Sequence, residues 1–299
     1  MSAPSATERT LIERLCFQAL SGSAHLLARL DFKGMRVLSH GLGATLWHTL
    51  PARRRLAIRN IRNHLAVPEA EARDIARESF NHNALSFLEA VLIARCRFAP
   101  PRFQAEDPAL LAALQHSTQP VVTATGHLGA WELLAGIHES LRPADAHSAV
   151  VVRRYNSRPF NDLMMALRGS HGIEVIGHRE ASSRVLQILR RQGTVAFLVD
   201  HHAGSSESAR IDFLGEPATV NIGPAVLAVR GRALIRTLCL IRQGETYLLR
   251  GDTPLDTTTL EGSIDARIRA AATFYTRGIE RMIRQTPEQW FWMHNRWKN

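Results

Sequence analysis

The chain has 299 residues and a net charge of +10, carried almost wholly by arginine because Lys33 and Lys298 are its only lysines. Its length allows one large domain or a core with an appendage, and an apolar share of 45% supplies a sizeable interior. The basic surplus points to nucleic acid, an anionic membrane, or an acidic carrier with a phosphorylated substrate, and nucleic acid finds no support: there is no zinc-finger spacing, RNP-like aromatic motif or lysine-rich tail.

Glu8 and Glu13 stand among the early arginines and no cleavage pattern follows, so no secretory signal is expected. Nor is there an apolar run long enough to span a bilayer. Leu15 to Leu30 and Val37 to Leu50 come closest, but His25, His40, Gly41, Gly43 and His48 interrupt them. Both read as amphipathic helices that lie on a membrane or pack on the core. Residues 51–65 interleave Leu56, Ile58, Ile61 and Leu65 with five arginines, giving one apolar and one basic face. The basic face suits water, or anionic lipid at about 1 kcal/mol per charge. Pro68 opens a further helix, with Glu69, Glu71 and Asp74 near its start and a stripe of Ile75, Phe80, Ala84, Phe87, Leu88 and Val91. Pro100-Pro101 marks a boundary between a helical, membrane-associating region, 1–100, and a core, 101–299.

From residue 105 apolar segments at 120–125, 148–154, 173–177, 194–199, 233–240 and 246–250 read as strands, with helices at 128–140, 158–170, 181–191 and 220–230. A long helix closes the pattern at about 263–285, with Ile264, Ile268, Ala271, Phe274, Ile279 and Ile283 on its apolar side. The expectation is an α/β fold with a mixed, largely parallel sheet flanked by helices.

His127 falls on the turn after the first buried strand, at the carboxyl end where open α/β sheets place ligands. A neutral imidazole can take a proton from a hydroxyl, and Glu132 can hold its tautomer if His127 folds back over the helix start. A helix-capping histidine is the plainer alternative. Arg153-Arg154 follow the next strand and reach the same rim, where an arginine stabilises an oxyanion or binds phosphate. Asp200 closes a third strand. With His201, His202, His127 and Glu132 it also admits a metal reading, which no cysteine and no HExxH-type helix supports. Cys16, Cys96 and Cys239, odd in number and far apart, fit a reducing compartment.

The stretch Gly126-His127-Leu128-Gly129-Ala130-Trp131-Glu132 resembles the His-x4-acid motif of the glycerolipid acyltransferases, and more narrowly the lipid A late acyltransferases. Four further segments agree in order. Asn63 to Glu69 is similar to that family's Asn-x-x-x-x-Pro-Glu step, and Asp200 to Gly204 to its Asp-Gln-Asp-x-Gly, with His201 and His202 as departures. Ile211 to Thr219, followed by Gly223-Pro224, resembles its Phe-Phe-Gly-x-Pro-Ala-x-Thr loop, and Pro287 to Lys298 its tryptophan-rich ending. In the family an arginine follows the second strand shortly before a turn proline. Arg154 with Pro159 aligns best, and a one-residue slip selects Arg153.

The resemblance implies a membrane-associated O-acyltransferase with no cofactor and no metal, on the cytoplasmic face of the inner membrane, peripheral or monotopic. Its donor would be a long-chain acyl thioester on acyl carrier protein or coenzyme A, its acceptor a phosphorylated glycolipid such as a lipid A precursor. His127, Glu132 and Arg154 would be catalytic; Asp200, Gly204, Thr219 and Gly223 would bind substrate. No cysteine would serve as nucleophile. Alternatives are the same chemistry on a phosphatidylinositol mannoside, ornithine lipid or lysophospholipid, and a catalytically silent basic lipid-binding protein.

Overall fold

The computed structural model describes residues 10–93, 102–141, 146–170, 172–204 and 208–298, without the side chains of 138–140 and 179. The Pro100-Pro101 boundary and Cys96 lie outside the described residues.

Four helices come first: α1 (Leu11–Leu27), α2 (Phe32–Thr49), α3 (Pro51–Leu65) and α4 (Glu69–Glu89). Thr10 and Glu13 form a reciprocal capping box at the start of α1, satisfying backbone donors that the helix cannot. α2 buries Met35, Gly43 and Trp47, and a side chain at Gly43 would strike the Asn81 backbone on α4. On α4 the expected stripe holds for Phe80, Ala84, Leu88 and Val91 beyond its end, but Phe87 is exposed and meets Trp131 edge-on at 5.9 Å. Leu11, Ile12 and Leu15 on α1, with Val37, Leu38 and Leu42 on α2, are exposed.

The α/β portion runs β1 (Phe103–Ala105), α5 (Pro108–His116), β2 (Val121–Thr125), α6 (Leu133–Leu141), β3 (Ser148–Val152), α7 (Arg158–Gly169), β4 (Glu174–Gly177), α8 (Ala181–Arg190) and β5 (Thr194–Leu198). It continues through β6 (Ser208–Phe213), β7 (Glu216–Asn221), α9 (Gly223–Arg230), β8 (Leu234–Gln243), β9 (Thr246–Gly251), β10 (Leu255–Asp256) and α10 (Ile264–Gln285). The main sheet has the order β1-β9-β8-β2-β5-β3-β4, with β10 on β8. β8, β2, β5, β3 and β4 are parallel, whereas β9 runs antiparallel to β8. This is the mixed, largely parallel sheet that the alternation of apolar segments called for.

The sheet is covered on both faces. Val122, Ala124, Val195, Phe197 and Ile235 point into a core shared with α8, α9 and α10, which also takes Trp47, Ile61 and Phe80 from the N-terminal helices. Leu238 and Leu240 point the other way, against Leu133 and Ile137 of α6. A buried Arg242–Glu89 ion pair, joined by the Tyr247 hydroxyl and Ser86, ties α4 to β8.

Two expectations need correction. The helix expected from Leu128 begins at Leu133. Leu128 instead bridges to Trp290 and Gly129 to Leu240, and Gly129 has φ +64 with no room for a Cβ, which would sit 2.2 Å from the Leu240 carbonyl. Only glycine meets both demands there. Second, the helix expected over 220–230 starts at Gly223, because residues before it form a β6–β7 hairpin turned by Leu214 and Gly215, both at positive φ.

Candidate active site

His127, Asp200 and the Arg153-Arg154 pair follow β2, β5 and β3, three adjacent parallel strands, and so reach one carboxyl edge. The backbone of His127 is clamped from two sides: its N–H donates to Asp200 Oδ2 at 2.7 Å, and its carbonyl accepts from the Phe291 N–H at 3.1 Å. Gly126 lets the strand pass close, since a Cβ there would stand 3.2 Å from the Asp200 carboxylate.

Asp200 is buried and has three donors. Oδ1 accepts from His127 Nδ1–H at 2.8 Å, and Oδ2 accepts from the His127 backbone and, at 2.8 Å, from Trp290 Nε1–H. Burial would raise this carboxyl's pKa; the charge and hydrogen bond of His127, helped by His201 and Trp290, outweigh it and hold the group well below the usual carboxylate range. An ionised carboxylate can only accept, so Nδ1 of His127 carries a proton, and in the neutral imidazole Nε2 is the nitrogen with the free lone pair. The ring lines a cleft of about 210 Å³.

Glu132 has a different partner. Its two oxygens take a bidentate pair from Arg168 on α7, at 3.0 Å to Nε and 2.6 Å to Nη2, and Arg168 also donates to the Tyr155 hydroxyl. Burial works against the Arg168 charge, but Glu132 outweighs it and holds that pKa above its ordinary value. The carboxylate on His127 is therefore Asp200, expected only to bind substrate, while Glu132 braces α7 against the start of α6.

His201 stacks on His127 with centroids 4.0 Å apart and planes 5° from parallel, and His294 stacks on the far side of His201 at 4.4 Å. Burial, and then the neighbouring His127, lower His201 to about 3; burial also lowers His294 to about 4. Both rings are thus neutral near pH 7. His127, Asp200 and His201 offer nitrogen and oxygen atoms within 4.8 Å of one another, the spacing of a metal site. As the rings stand, parallel imidazoles carry their lone pairs in separate planes, so one ion cannot lie in the plane of both.

Arg153 and Arg154 both line the cleft and both are exposed. Arg153 acts electrostatically on His201, whereas Arg154 leans toward Gly177 at the end of β4. His178, His202 and Asn221 complete the polar wall. Gly204, Thr219 and Gly223 are not in it: the Thr219 carbonyl accepts from Arg296 and Ala203, and the Gly223 N–H is taken by the Asn221 side chain.

Beside the cleft runs a narrower slot of about 100 Å³ between the sheet and α6, sharing Val152, Arg168 and Leu198 with it. Its walls include the apolar Trp131, Leu134, Ala135 and Leu238 together with Thr125 and the paired Glu132 and Arg168.

The family model described as bacterial lipid A biosynthesis acyltransferase matches residues 8–299. The chain belongs to that family. It is an acyltransferase of lipid A biosynthesis. Comparison with curated proteins finds no match.

The closing segment of this acyltransferase serves the site and is core. Trp290 and Trp292 are buried, and their carbonyls accept from Ser79 and Asn60 on the N-terminal helices. Trp290 thereby brings its indole N–H to Asp200 while bridging to Leu128. Sequence reasoning did not find Arg168 or the role of Trp290. Each is joined to the site across long stretches of chain, and only the chain-closing tryptophan cluster signalled that something there was buried. Among the described residues, no helix is long and apolar enough to cross a membrane.

Proposed function

We propose that this acyltransferase moves a long-chain acyl group from a thioester, carried by acyl carrier protein, to a hydroxyl of a phosphorylated glycolipid of the lipid A precursor type, with His127 as general base and Asp200 as the residue that positions it. The observation that carries this reading is the His127 Nδ1–Asp200 Oδ1 contact of 2.8 Å at the sheet's carboxyl edge, which leaves Nε2 facing the chemistry.

The acceptor hydroxyl gives its proton to His127 Nε2 as its oxygen attacks the thioester carbonyl. The imidazolium formed is stabilised by the buried Asp200 carboxylate. The tetrahedral oxyanion collapses, the C–S bond breaks, and the departing thiolate takes the proton back from Nε2. No covalent acyl-enzyme and no metal are needed for that balance. Arg153, which acts electrostatically on His201, is assigned the oxyanion; Arg154, beside Gly177, is assigned a phosphate of the acceptor. The apolar slot receives the acyl chain.

The exposed apolar residues of α1 and α2, with the arginines at 53–62, favour docking on the anionic cytoplasmic leaflet of the inner membrane without spanning it. Reconstitution of purified protein with acyl carrier protein or coenzyme A thioesters, and with phosphorylated or dephosphorylated glycolipid, tests the reading by mass spectrometry of the product. An acyl ester on the phosphorylated acceptor alone is the expected result. Equal transfer to both acceptors removes the phosphate assignment, and transfer to neither removes the function.

A further inference from the structure

His201 follows Asp200 directly, and its ring is used through its faces. One face lies against His127, with centroids 4.0 Å apart and planes 5° from parallel, and the other lies against His294 at 4.4 Å. Its Nε2 is buried and has no hydrogen-bond partner. A buried imidazole normally secures its nitrogens, because an unmet polar atom costs stability. This one forgoes a hydrogen bond and keeps the stack.

Three distant parts of the chain build that stack. β2 and β5 are neighbours in the sheet, so the residues that follow them, His127 and His201, come side by side. His294 belongs to the closing segment, where its carbonyl accepts from Asn60 of α3 at 3.2 Å. Asp200 holds the His127 ring at one corner, Nδ1, and a single bond there leaves the ring free to tilt about it. Flat contact with His201 removes that freedom.

The stack also bears on charge. Burial, then His127, and less strongly His294 and Arg153, keep His201 neutral near pH 7 against the opposing pull of Asp200. The face of an aromatic ring is the negative pole of its quadrupole, so a positive group over it is attracted. We propose that His201 is a positioning residue for the general base: its face fixes the plane of the His127 imidazole and stabilises the imidazolium formed when Nε2 takes the acceptor's proton. This rests on the acyl-transfer reading above. Neutral His127 gains less from the contact than the cation does, so the stack lowers the barrier without tightening substrate binding.

The test uses full-length protein. His201→Leu and His201→Gln remove the aromatic face, and Gln carries the comparison if Leu does not fold; His201→Phe keeps a flat face without nitrogens. The expected result is a kcat lowered roughly threefold to thirtyfold in Leu and Gln, the scale of a charge over an aromatic face, and restored in Phe. Calorimetric affinity for a non-transferable acyl thioether analogue of the donor should change little in all three. The His127 ring protons, assigned by their loss in His127→Ala, lie in the ring current of His201. Their resonances should move downfield in Leu and Gln and stay upfield in Phe. If wild type transfers acyl groups but Leu and Gln keep its kcat, or Phe falls as far as they do, the proposal is overturned and the transfer reading stands. If wild type transfers nothing yet the resonances move as expected, the positioning of His127 stands and the transfer reading falls. Resonances unmoved by Leu and Gln overturn the proposal whatever the activity.

Discussion

Asp200→Asn separates the two carboxylates that the site offers. Oδ2 of Asp200 accepts from two donors, the His127 backbone N–H and Trp290 Nε1–H, while Oδ1 accepts from His127 Nδ1. In the amide, the single oxygen keeps the two-donor side and the NH₂ group turns to Nδ1. Nδ1 must then accept, which places the proton on Nε2, the nitrogen that has to be unprotonated. Geometry survives and the tautomer is wrong. A positioned base contributes about 10²–10⁴ in rate, and the equivalent acid-to-amide change in a serine protease triad costs about 10⁴. Asp200→Asn is therefore expected to lower kcat by roughly 10³ or more with the melting temperature little changed. Glu132→Gln should behave differently. It leaves the buried Arg168 guanidinium without its counter-charge, and breaking such a pair costs about 3–5 kcal/mol of stability. The measurement is acyl transfer by both folded variants, with thermal denaturation alongside. Near-normal turnover by Asp200→Asn, with a large rate loss and unchanged melting in Glu132→Gln, would refute the assignment of Asp200.

The stacked histidines make stability fall with acid: His201 titrates at about 3 when folded against 6.5 unfolded, and His294 at about 4. The unfolded chain therefore binds more protons below pH 6.5, costing up to about 1.4 kcal/mol per pH unit per histidine until the folded value is reached. Denaturant unfolding from pH 7 to pH 5 should show this slope, and His201→Gln should flatten it; an equal slope in both proteins would show that His201 is charged when folded. Cys239 is buried and its thiol is pushed up to about 12, so Cys239→Ala should keep activity wherever it folds, and an acylated cysteine trapped during turnover would contradict this. For the membrane, Leu11, Ile12 and Leu15 changed together to Ser should cut vesicle flotation, with the remainder more sensitive to salt because only screened charge is left. Equal flotation of variant and wild type on anionic and neutral vesicles would end the docking idea.

The alternation of apolar runs made the sheet legible, because parallel strands buried on both faces read as segments rich in β-branched residues, such as Val121 to Thr125. The convergence of His127, Arg154 and Asp200 was equally legible, since each stands just past the end of such a run. The pairing within the site was not. His127 and Glu132 are five residues apart, but Gly129 at positive φ sends the chain across Leu240 before the helix begins, and the imidazole finds a carboxylate 73 positions away. Helical spacing cannot reveal a backbone that pairs with a strand instead of forming a helix. Arg168 was hidden for a related reason. In a chain with this many arginines, only its burial against Glu132 sets Arg168 apart from those on the surface.

Single-turnover acyl transfer by His127→Ala, beside wild type and across pH, bears on the general base itself. His127→Ala should keep the wild-type melting profile and thioether affinity. It should lose about 10²–10⁴ in the rate of the chemical step, with a pH–rate profile that differs from that of wild type. A folded His127→Ala protein that transfers the acyl group at near wild-type rate, with the same pH profile, would contradict the account.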